Sequence, residues 1–284
     1  MNLGRVRTKY VPGTNNNEVA RYDAGIFESF SSQYRRVLPF QRLVQSYIRS
    51  DRVVPFRYRG LCFRFRPLSY DPIVLYSILA RRIYGGIPSG WSVVDIGAHI
   101  GIFSMYSLLS GAAKVLAFEP EEHNFELLRD NLTANGLRGR IQAFKLAVWS
   151  SSEERTLFTS KGSAFHGFFP DRHHVGKSER VSCIGINTLL DRVEHPVLLK
   201  IDAEGSEYEI INAITKENMR KVGRICAECH TGNPRLRPLL PVLLQEIRSR
   251  GFSVSYNSDK RIMIASRIEN HANLPSTASW KRQG

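Results

Sequence analysis

The chain has 284 residues, of which 42% are hydrophobic and 23% are charged, so it is long enough for one large globular domain with an extension. No segment reaches the roughly 18 consecutive apolar residues of a membrane-spanning helix, and the polar start of the chain lacks the apolar stretch of a signal peptide. Four scattered cysteines exclude a disulfide framework. We therefore expect a reduced, cytoplasmic protein without a transmembrane segment.

The net charge of +14 is concentrated near the N-terminus. Residues 1–94 hold 15 Lys and Arg against 5 Asp and Glu, so they carry +10 of the total. Such a basic segment favours nucleic acid, an anionic membrane surface or a phosphorylated substrate as a partner, or it is a solvated surface without a partner. The sequence leaves these interpretations open, and it leaves a homo-oligomer open as well.

Residues 1–90 predict an N-terminal extension of helices and a hairpin that packs on the core. Apolar residues recur at helical spacing on both sides of Pro39, and apolar and polar residues alternate on both sides of Gly60. Pro72 suits the first turn of a helix, with Asp71 as its N-cap. In chain order, the predicted elements are a polar segment (1–22), two helices (within 26–48), a hairpin (53–66) and a helix (71–84).

From residue 91 to residue 267, predicted strands and helices alternate, which favours a mostly parallel sheet with helices on both faces. The predicted strands are 93–96, 114–118, 141–148, 197–201 and 222–227, followed by a closing antiparallel pair at 252–256 and 261–266. The predicted helices are 102–109, 121–135, 208–214 and 239–250. Two further short strands are predicted at 156–158 and 180–184, and residues 268–284 form a polar tail.

The strand at 93–96 runs into a glycine turn and a helix, and the next strand ends in an acid. Gly97 and Gly101 allow the backbone to approach a ligand, and Glu119 is placed to accept hydrogen bonds from ribose hydroxyls. A dinucleotide fingerprint requires glycine at its third position, where this chain has His99. The turn therefore favours S-adenosylmethionine (SAM), which lacks a pyrophosphate, over NAD.

Further polar residues follow the other predicted strands. Because the carboxyl ends of parallel strands meet at one edge of a sheet, we expect these residues to surround a single ligand site. They are Asp95 on the first strand, Asp202 and Glu204 after the fourth, and Glu228 and His230 after the fifth, with Ala147 and Val148 placed beside an adenine.

Four segments together resemble the FkbM family of SAM-dependent methyltransferases. They are Asp-Ile-Gly-Ala-His-Ile-Gly (95–101), Phe-Glu-Pro (118–120), Leu-Lys-Ile-Asp-Ala-Glu-Gly-Ser-Glu (199–207) and Glu-Cys-His (228–230). The resemblance, which covers 53–266, implies an α/β fold of the class I methyltransferase type. This fold is a Rossmann-like, doubly wound, mostly parallel seven-stranded sheet with one antiparallel strand. It also implies SAM as the cofactor and, for most members, O-methylation of sugar or natural-product hydroxyls.

The resemblance also implies roles for individual residues. Asp95, Gly97 and Gly101 would line the methionine half of SAM. Glu119 would bind the ribose, and Asp202 would act as a catalytic acid or a metal ligand. The full set of predicted cofactor-binding residues is Asp95, Gly97, Ala98, His99, Gly101, Glu119, Pro120, Ala147, Val148 and Asp202.

Methyl transfer to a hydroxyl requires that the acceptor lose its proton. Asp202, Glu228 and His230 are the predicted catalytic residues, and His166 in a loop is a further candidate base. The same three residues occupy the positions at which metal-dependent O-methyltransferases hold Mg or Mn, which prefer oxygen-rich ligand sets. The expected acceptor is a hydroxyl on a sugar, a glycan or another small molecule.

Alternative functions differ in the features that they would use. An RNA methyltransferase would bind RNA through the basic extension, although the chain has no Asn-Pro-Pro-Tyr-like element of the kind used in amino-group methylation. A non-catalytic SAM-binding or membrane-surface protein would not need the acids Asp95, Glu119 and Asp202. His99, which replaces an Asn common in the resembling family, disfavours an NAD enzyme. Cys226 and Cys229 lack a second Cys/His pair at zinc spacing. The aromatic segment 165–169 either closes over an acceptor or belongs to a solvated loop.

Overall fold

The computed structural model describes residues 53–160, 166–169, 174–231 and 234–268. The two helices predicted within 26–48 and the tail beyond Ile268 lie outside the described residues. The division into an extension, a core and a tail stays a prediction. Within the described ranges, no helix is long and apolar enough to cross a membrane.

The described residues form twelve strands and seven α-helices. The strands are β1 (Val54–Tyr58), β2 (Leu61–Phe65), β3 (Ser92–Ile96), β4 (Lys114–Phe118), β5 (Ile141–Phe144), β6 (Ala147–Trp149), β7 (Glu154–Ser160), β8 (His174–Gly185), β9 (Val197–Ile201), β10 (Val222–Glu228), β11 (Phe252–Asn257) and β12 (Ile262–Arg267). The helices are α1 (Asp71–Leu75), α2 (Ile102–Leu109), α3 (Glu122–Ala134), α4 (Ile186–Leu190), α5 (Glu207–Ala213), α6 (Lys216–Lys221) and α7 (Leu239–Ser249).

Seven of these strands form the central sheet, in the order β11-β12-β10-β9-β3-β4-β5. The strands from β10 to β5 run parallel to one another, whereas β12 is antiparallel to both of its neighbours. Every residue of the central strands β3 and β9 is buried, because helices pack on both faces of a doubly wound sheet. This arrangement confirms the predicted class I methyltransferase fold with a single antiparallel strand.

The hairpin predicted at 53–66 is present as β1 and β2, and it is bound to helix α3. The side-chain amide of Asn131 accepts from the N–H of Arg64 and donates to its carbonyl, at 2.7 and 3.0 Å. Asn135 makes the same pair of bonds with Cys62, at 2.7 and 2.8 Å. Two amides spaced four residues apart on the helix therefore replace a neighbouring strand along one edge of β2.

The predicted strand at 141–148 is wrong as a single element. Strand β5 ends at Phe144, and β6 begins at Ala147 and joins a separate sheet in the order β6-β8-β7. Apart from Gln142 and Lys145, the residues from 141 to 148 are apolar, and this pattern shows no sign of the point at which the chain passes from one sheet to another. The short strands predicted at 156–158 and 180–184 lie within β7 and β8, which pair with each other.

The helix predicted at 71–84 is shorter than expected. Helix α1 is followed by a π-helical turn, Tyr76–Ala80, and the chain then leaves helical structure. Asp71 is not the N-cap, because Tyr70 holds that position and the Asp71 carboxylate bonds to Arg66 instead. The sequence predicted Asp71 as a helix cap, whereas its side chain forms an ion pair with Arg66, five residues earlier in the chain.

Candidate active site

A cavity opens at the carboxyl ends of the parallel strands. Eleven of the residues predicted for the site line it: Gly97, Ala98, His99, Glu119, Pro120, Ala147, Val148, His166, Asp202, Glu204 and Glu228. Three other predicted residues, Asp95, Gly101 and His230, do not contribute to its wall. The sequence therefore located the cavity, while these three residues lie outside its wall.

Gly97 lies where strands β3 and β9 end side by side. Its φ of +71° is in the left-handed region, and a Cβ there would lie 1.8 Å from the carbonyl oxygen of Asp202. No side chain fits at that distance, so glycine is required for the close approach of the two strand ends. Gly101 instead leaves room for Leu128 of α3, which would contact its Cβ at 3.1 Å.

Asp95 is fully buried and forms an ion pair with Lys200, with Nζ 3.1 Å from Oδ1. Its other oxygen accepts a hydrogen bond of 2.6 Å from the Ser104 hydroxyl. The Lys200 ammonium also donates to the carbonyls of Gly97, at 2.7 Å, and Ile96, at 3.3 Å. Asp95 therefore neutralises the cation that holds the glycine turn.

The charge of Lys200 is maintained although only 3% of the residue is exposed. Burial lowers the pKa of the ammonium, but the nearby carboxylates of Asp95 and Asp202 outweigh it, so the pKa lies above its ordinary value. The rings of Tyr84 and Phe103 also face the cation, with centroids 5.6 and 5.9 Å away. Sequence reasoning assigned Lys200 no role, although a lysine inside an apolar strand is itself a signal of a paired buried charge.

Glu119 ends strand β4 at the cavity wall. Its Oε2 accepts a hydrogen bond of 2.8 Å from the backbone N–H of His99, and its Oε1 accepts one of 3.0 Å from that of Glu121. Burial raises the pKa of this carboxyl to about 7, despite the opposing effect of the two N–H groups. A carboxylate has about four lone-pair sites, so two further donors can still be accepted from a ligand.

Asp202 follows strand β9, and its side chain is 29% exposed toward the cavity. Its Oδ2 accepts a hydrogen bond of 2.9 Å from the Tyr84 hydroxyl and lies 3.9 Å from Lys200 Nζ. Burial, with Asp202 beside it, raises the pKa of Tyr84 well above its ordinary value, so the phenol stays a donor. Tyr84 belongs to the predicted extension, and no sequence signal identified it as part of the site.

His230 is held between two glutamates. Its Nδ1 lies 2.8 Å from Glu207 and its Nε2 lies 3.1 Å from Glu204. Burial alone would lower the pKa of the imidazole, but the two carboxylates raise it well above its ordinary value. His230 is therefore an imidazolium that organises the loop after β9. Glu207 also accepts from the N–H groups of Ala203 and Gly205, which fixes that loop further.

Glu228, by contrast, faces the cavity. Burial and the charge of Asp202 raise its pKa to about 7, and Arg261 donates a hydrogen bond of 2.8 Å to its Oε1. Asp202, Glu228 and His230 each offer one ligand atom, and these atoms lie within 4.8 Å of one another. The predicted metal-binding residues are thus brought together, but the His230 imidazolium would have to lose a proton before its nitrogen could be a ligand.

The loop that carries His166 lies beside the same cavity. His166 and Phe168 line it, and the His166 Nδ1 accepts a hydrogen bond of 3.2 Å from the Ser160 N–H. Phe168 packs edge-on against Trp149 at 5.4 Å, and the Arg155 guanidinium lies over both rings at 4.9 and 4.0 Å. This part of the predicted aromatic segment is therefore packed rather than solvated.

The thiols of Cys226 and Cys229 take no part in the site. Both residues are fully buried and unpaired by disulfide, and burial raises the pKa of each thiol to about 12. Because a thiol with such a high pKa stays protonated near neutral pH, neither a zinc-bound thiolate nor a reactive thiolate is favoured at Cys226 or Cys229.

The strand order, the antiparallel β12 and the polar groups at the strand ends define a class I methyltransferase fold. The methyltransferase FkbM domain matches residues 95–254 of the chain. The chain therefore belongs to the FkbM methyltransferase family, and it is a methyltransferase.

Two relatives and one solved structure illustrate this similarity. Methyltransferase sdnD of Sordaria araneosa is 26% identical over 203 residues, which is 60% of this chain and 76% of the relative. The 31-O-demethyl-FK506 methyltransferase FkbM of Streptomyces tacrolimicus is 24% identical over 200 residues, which is 59% of this chain and 74% of the relative. The crystal structure of methyltransferase FkbM from Methylobacillus flagellatus is 14% identical, with a TM-score of 0.42, and the match covers 81% of this chain and 59% of that one.

The Lys200–Asp95 pair predicts a specific stability effect. Lys200→Met leaves the buried Asp95 carboxylate without its cation, so we expect the free energy of unfolding to fall by about 3–5 kcal/mol. The double variant Lys200→Met/Asp95→Asn removes both charges and should recover part of that loss. Urea denaturation of the three proteins measures both effects, and a Lys200→Met variant as stable as wild type would contradict the pairing.

Proposed function

We propose that the protein transfers a methyl group from SAM to a hydroxyl of a sugar, a glycan or another small molecule. The observation that carries the proposal is that one cavity joins the buried carboxyl of Glu119, at the end of the second core strand, to the acid pair Asp202 and Glu228. The first suits a nucleoside cofactor, and the second suits proton removal from an acceptor. The name of the Streptomyces relative, a 31-O-demethyl-FK506 methyltransferase, supports oxygen as the acceptor atom.

The residues at the cavity wall fit SAM. Gly97, Ala98 and His99 bring backbone close to the ligand, Glu119 accepts the ribose hydroxyls, and Ala147 and Val148 offer an apolar edge for the adenine. When bound, SAM supplies an electrophilic methyl group on a sulfonium centre. No phosphate has to be accommodated, which agrees with the position of His99 in the turn.

Asp202 is the residue placed best to receive the acceptor proton. It is partly exposed in the cavity, and the Tyr84 hydroxyl fixes one of its oxygens. In the transfer, a carbon–oxygen bond forms as the carbon–sulfur bond breaks, and the hydroxyl proton passes to the carboxylate. Glu228, on the same wall, takes the proton if the acceptor lies toward β10. Holding the acceptor in line with the methyl group contributes much of the rate.

A divalent cation is the second candidate for activating the hydroxyl. The ligand atoms of Asp202, Glu228 and His230 lie within 4.8 Å of one another. Glu207 holds the Nδ1 of His230 in the manner of an outer-sphere carboxylate. Mg or Mn held there would lower the pKa of an acceptor hydroxyl. His230 Nε2 would first have to lose its proton and its contact with Glu204.

Asp202→Asn tests the role of the carboxylate in proton removal. The amide is nearly isosteric but is not a base, so we expect S-adenosylhomocysteine (SAH) release to fall by about 100-fold or more. Because Asp202 is also a predicted cofactor contact, SAH affinity is measured on the same variant, and release is compared at saturating SAM. Release is measured over a panel of hydroxylated sugars and other small molecules, with Glu246→Gln on α7 as the control. An active Asp202→Asn enzyme would remove Asp202 from the mechanism.

The raised pKa of Glu119 predicts a pH dependence of cofactor binding. Below pH 7 the carboxyl is neutral and accepts ribose hydroxyls less well, whereas above pH 7 it is ionised. The affinity for SAH should therefore rise as the pH increases through about 7. Calorimetric titration from pH 6 to pH 8.5 measures this. Glu119→Gln should bind weakly with a flat profile, and an unchanged affinity in that variant would contradict the assignment.

Chelation separates the two candidate ways of activating the hydroxyl. If the cluster holds a cation, dialysis against EDTA lowers SAH release by about tenfold or more, and added Mg or Mn restores it. Unchanged release after EDTA would assign proton removal to the carboxylates alone. SAH affinity measured on the same samples shows whether the cofactor site survives the treatment.

A further inference from the structure

His99 holds an unusual backbone position in the cofactor turn. Its φ of +52° is in the left-handed region, which few residues other than glycine adopt, although asparagine, aspartate and histidine adopt it more often than most. The backbone N–H of His99 in this conformation donates to Glu119. Its conformation therefore sets one of the two N–H groups that hold the ribose-binding carboxylate.

The imidazole of His99 is held by a pair of residues from the segment between the hairpin and α1. Its Nε2 lies 3.3 Å from Asp71 Oδ1 and 3.4 Å from Arg66 Nη2. Arg66 meets Asp71 through Nε at 2.9 Å, Nη2 at 3.1 Å and its backbone N–H at 2.8 Å. Three bonds between one residue pair leave little freedom of orientation.

The Asp71 carboxylate is ionised although the residue is fully buried. Burial raises its pKa, but His99 and Arg66 together lower it below the ordinary value. A buried charge is tolerated only when its partners stay in place. The Arg66–Asp71 pair is therefore a rigid support against which the His99 ring rests.

Arg66 also supports the second backbone N–H group that donates to Glu119, which is the N–H of Glu121. Its Nη2 donates a bond of 2.6 Å to Asn124 Oδ1. The backbone N–H of Asn124 donates to Glu121, at 2.8 Å, and the N–H of Glu121 donates to Glu119. Both donors that fix Glu119 thus belong to residues that the Arg66–Asp71 pair holds, directly or through one neighbour.

We propose that Arg66 and Asp71 are positioning residues for the cofactor, which hold His99 and Asn124 and so orient the Glu119 carboxylate toward the ribose. The inference rests on the proposed function, because it takes SAM as the ligand of Glu119.

Asp71→Asn is the variant that tests the proposal. It removes the charge that holds His99, so we expect the KM for SAM and the Kd for SAH to rise by about tenfold, while kcat at saturating SAM stays within about twofold. A purely structural role would lower the folded fraction, and hence the apparent kcat, without moving KM. Asp191→Asn, which weakens the surface pair with Lys221, is the matched control and should leave KM unchanged.

A double-mutant cycle identifies the route. His99→Asn adopts the left-handed conformation unaided, so Asp71→Asn in that background should change SAH affinity by less than about threefold. An equal effect of Asp71→Asn in both backgrounds would overturn the role of His99. If Asp71→Asn does not fold, Arg66→Lys keeps a cation beside Asp71 but loses the fork geometry, and it should raise KM in the same direction.

The outcomes separate this inference from the function on which it rests. Wild-type protein that does not bind SAH overturns both. Wild-type protein that binds SAH, with Asp71→Asn and Arg66→Lys binding it equally well, overturns the positioning role alone.

Discussion

The buried ammonium of Lys200 is the interaction on which the cofactor turn depends. A charge in the middle of a sheet is tolerated only with partners, and here they are the Asp95 carboxylate and the carbonyls of Ile96 and Gly97. The same contacts join β9 to the end of β3, where the absence of a Cβ at Gly97 lets the ends of the two strands approach each other closely. Asp95 therefore serves the site from behind the cavity wall.

The two halves of the cavity are each fixed from outside the central sheet. On the Glu119 side, the carboxylate is held by backbone donors that the segment between the hairpin and α1 supports through Arg66. On the Asp202 side, the loop after β9 is organised by Glu207 and the His230 imidazolium, and Tyr84 fixes Asp202. Residues 66–84 thus help to build the candidate site as well as covering the core.

The sequence predicted the local features of this molecule well. The elements at 102–109, 114–118 and 197–201 have the predicted bounds, because glycines and acids mark their ends. Long-range contacts were not predictable. Tyr84 and Asp202 are 118 positions apart, and nothing at Asp71 indicates that its side chain reaches His99 instead of capping a helix. The mainly apolar stretch 141–148 likewise gave no sign of the passage between two sheets.

Calorimetric titration of the full chain with SAH, beside an NAD control, tests the central claim most directly. The arrangement of Gly97, His99 and Glu119 predicts micromolar binding of SAH and none of NAD. Binding of NAD, or of neither ligand, would contradict the assignment of the cavity to SAM, and the FkbM fold would then serve another ligand.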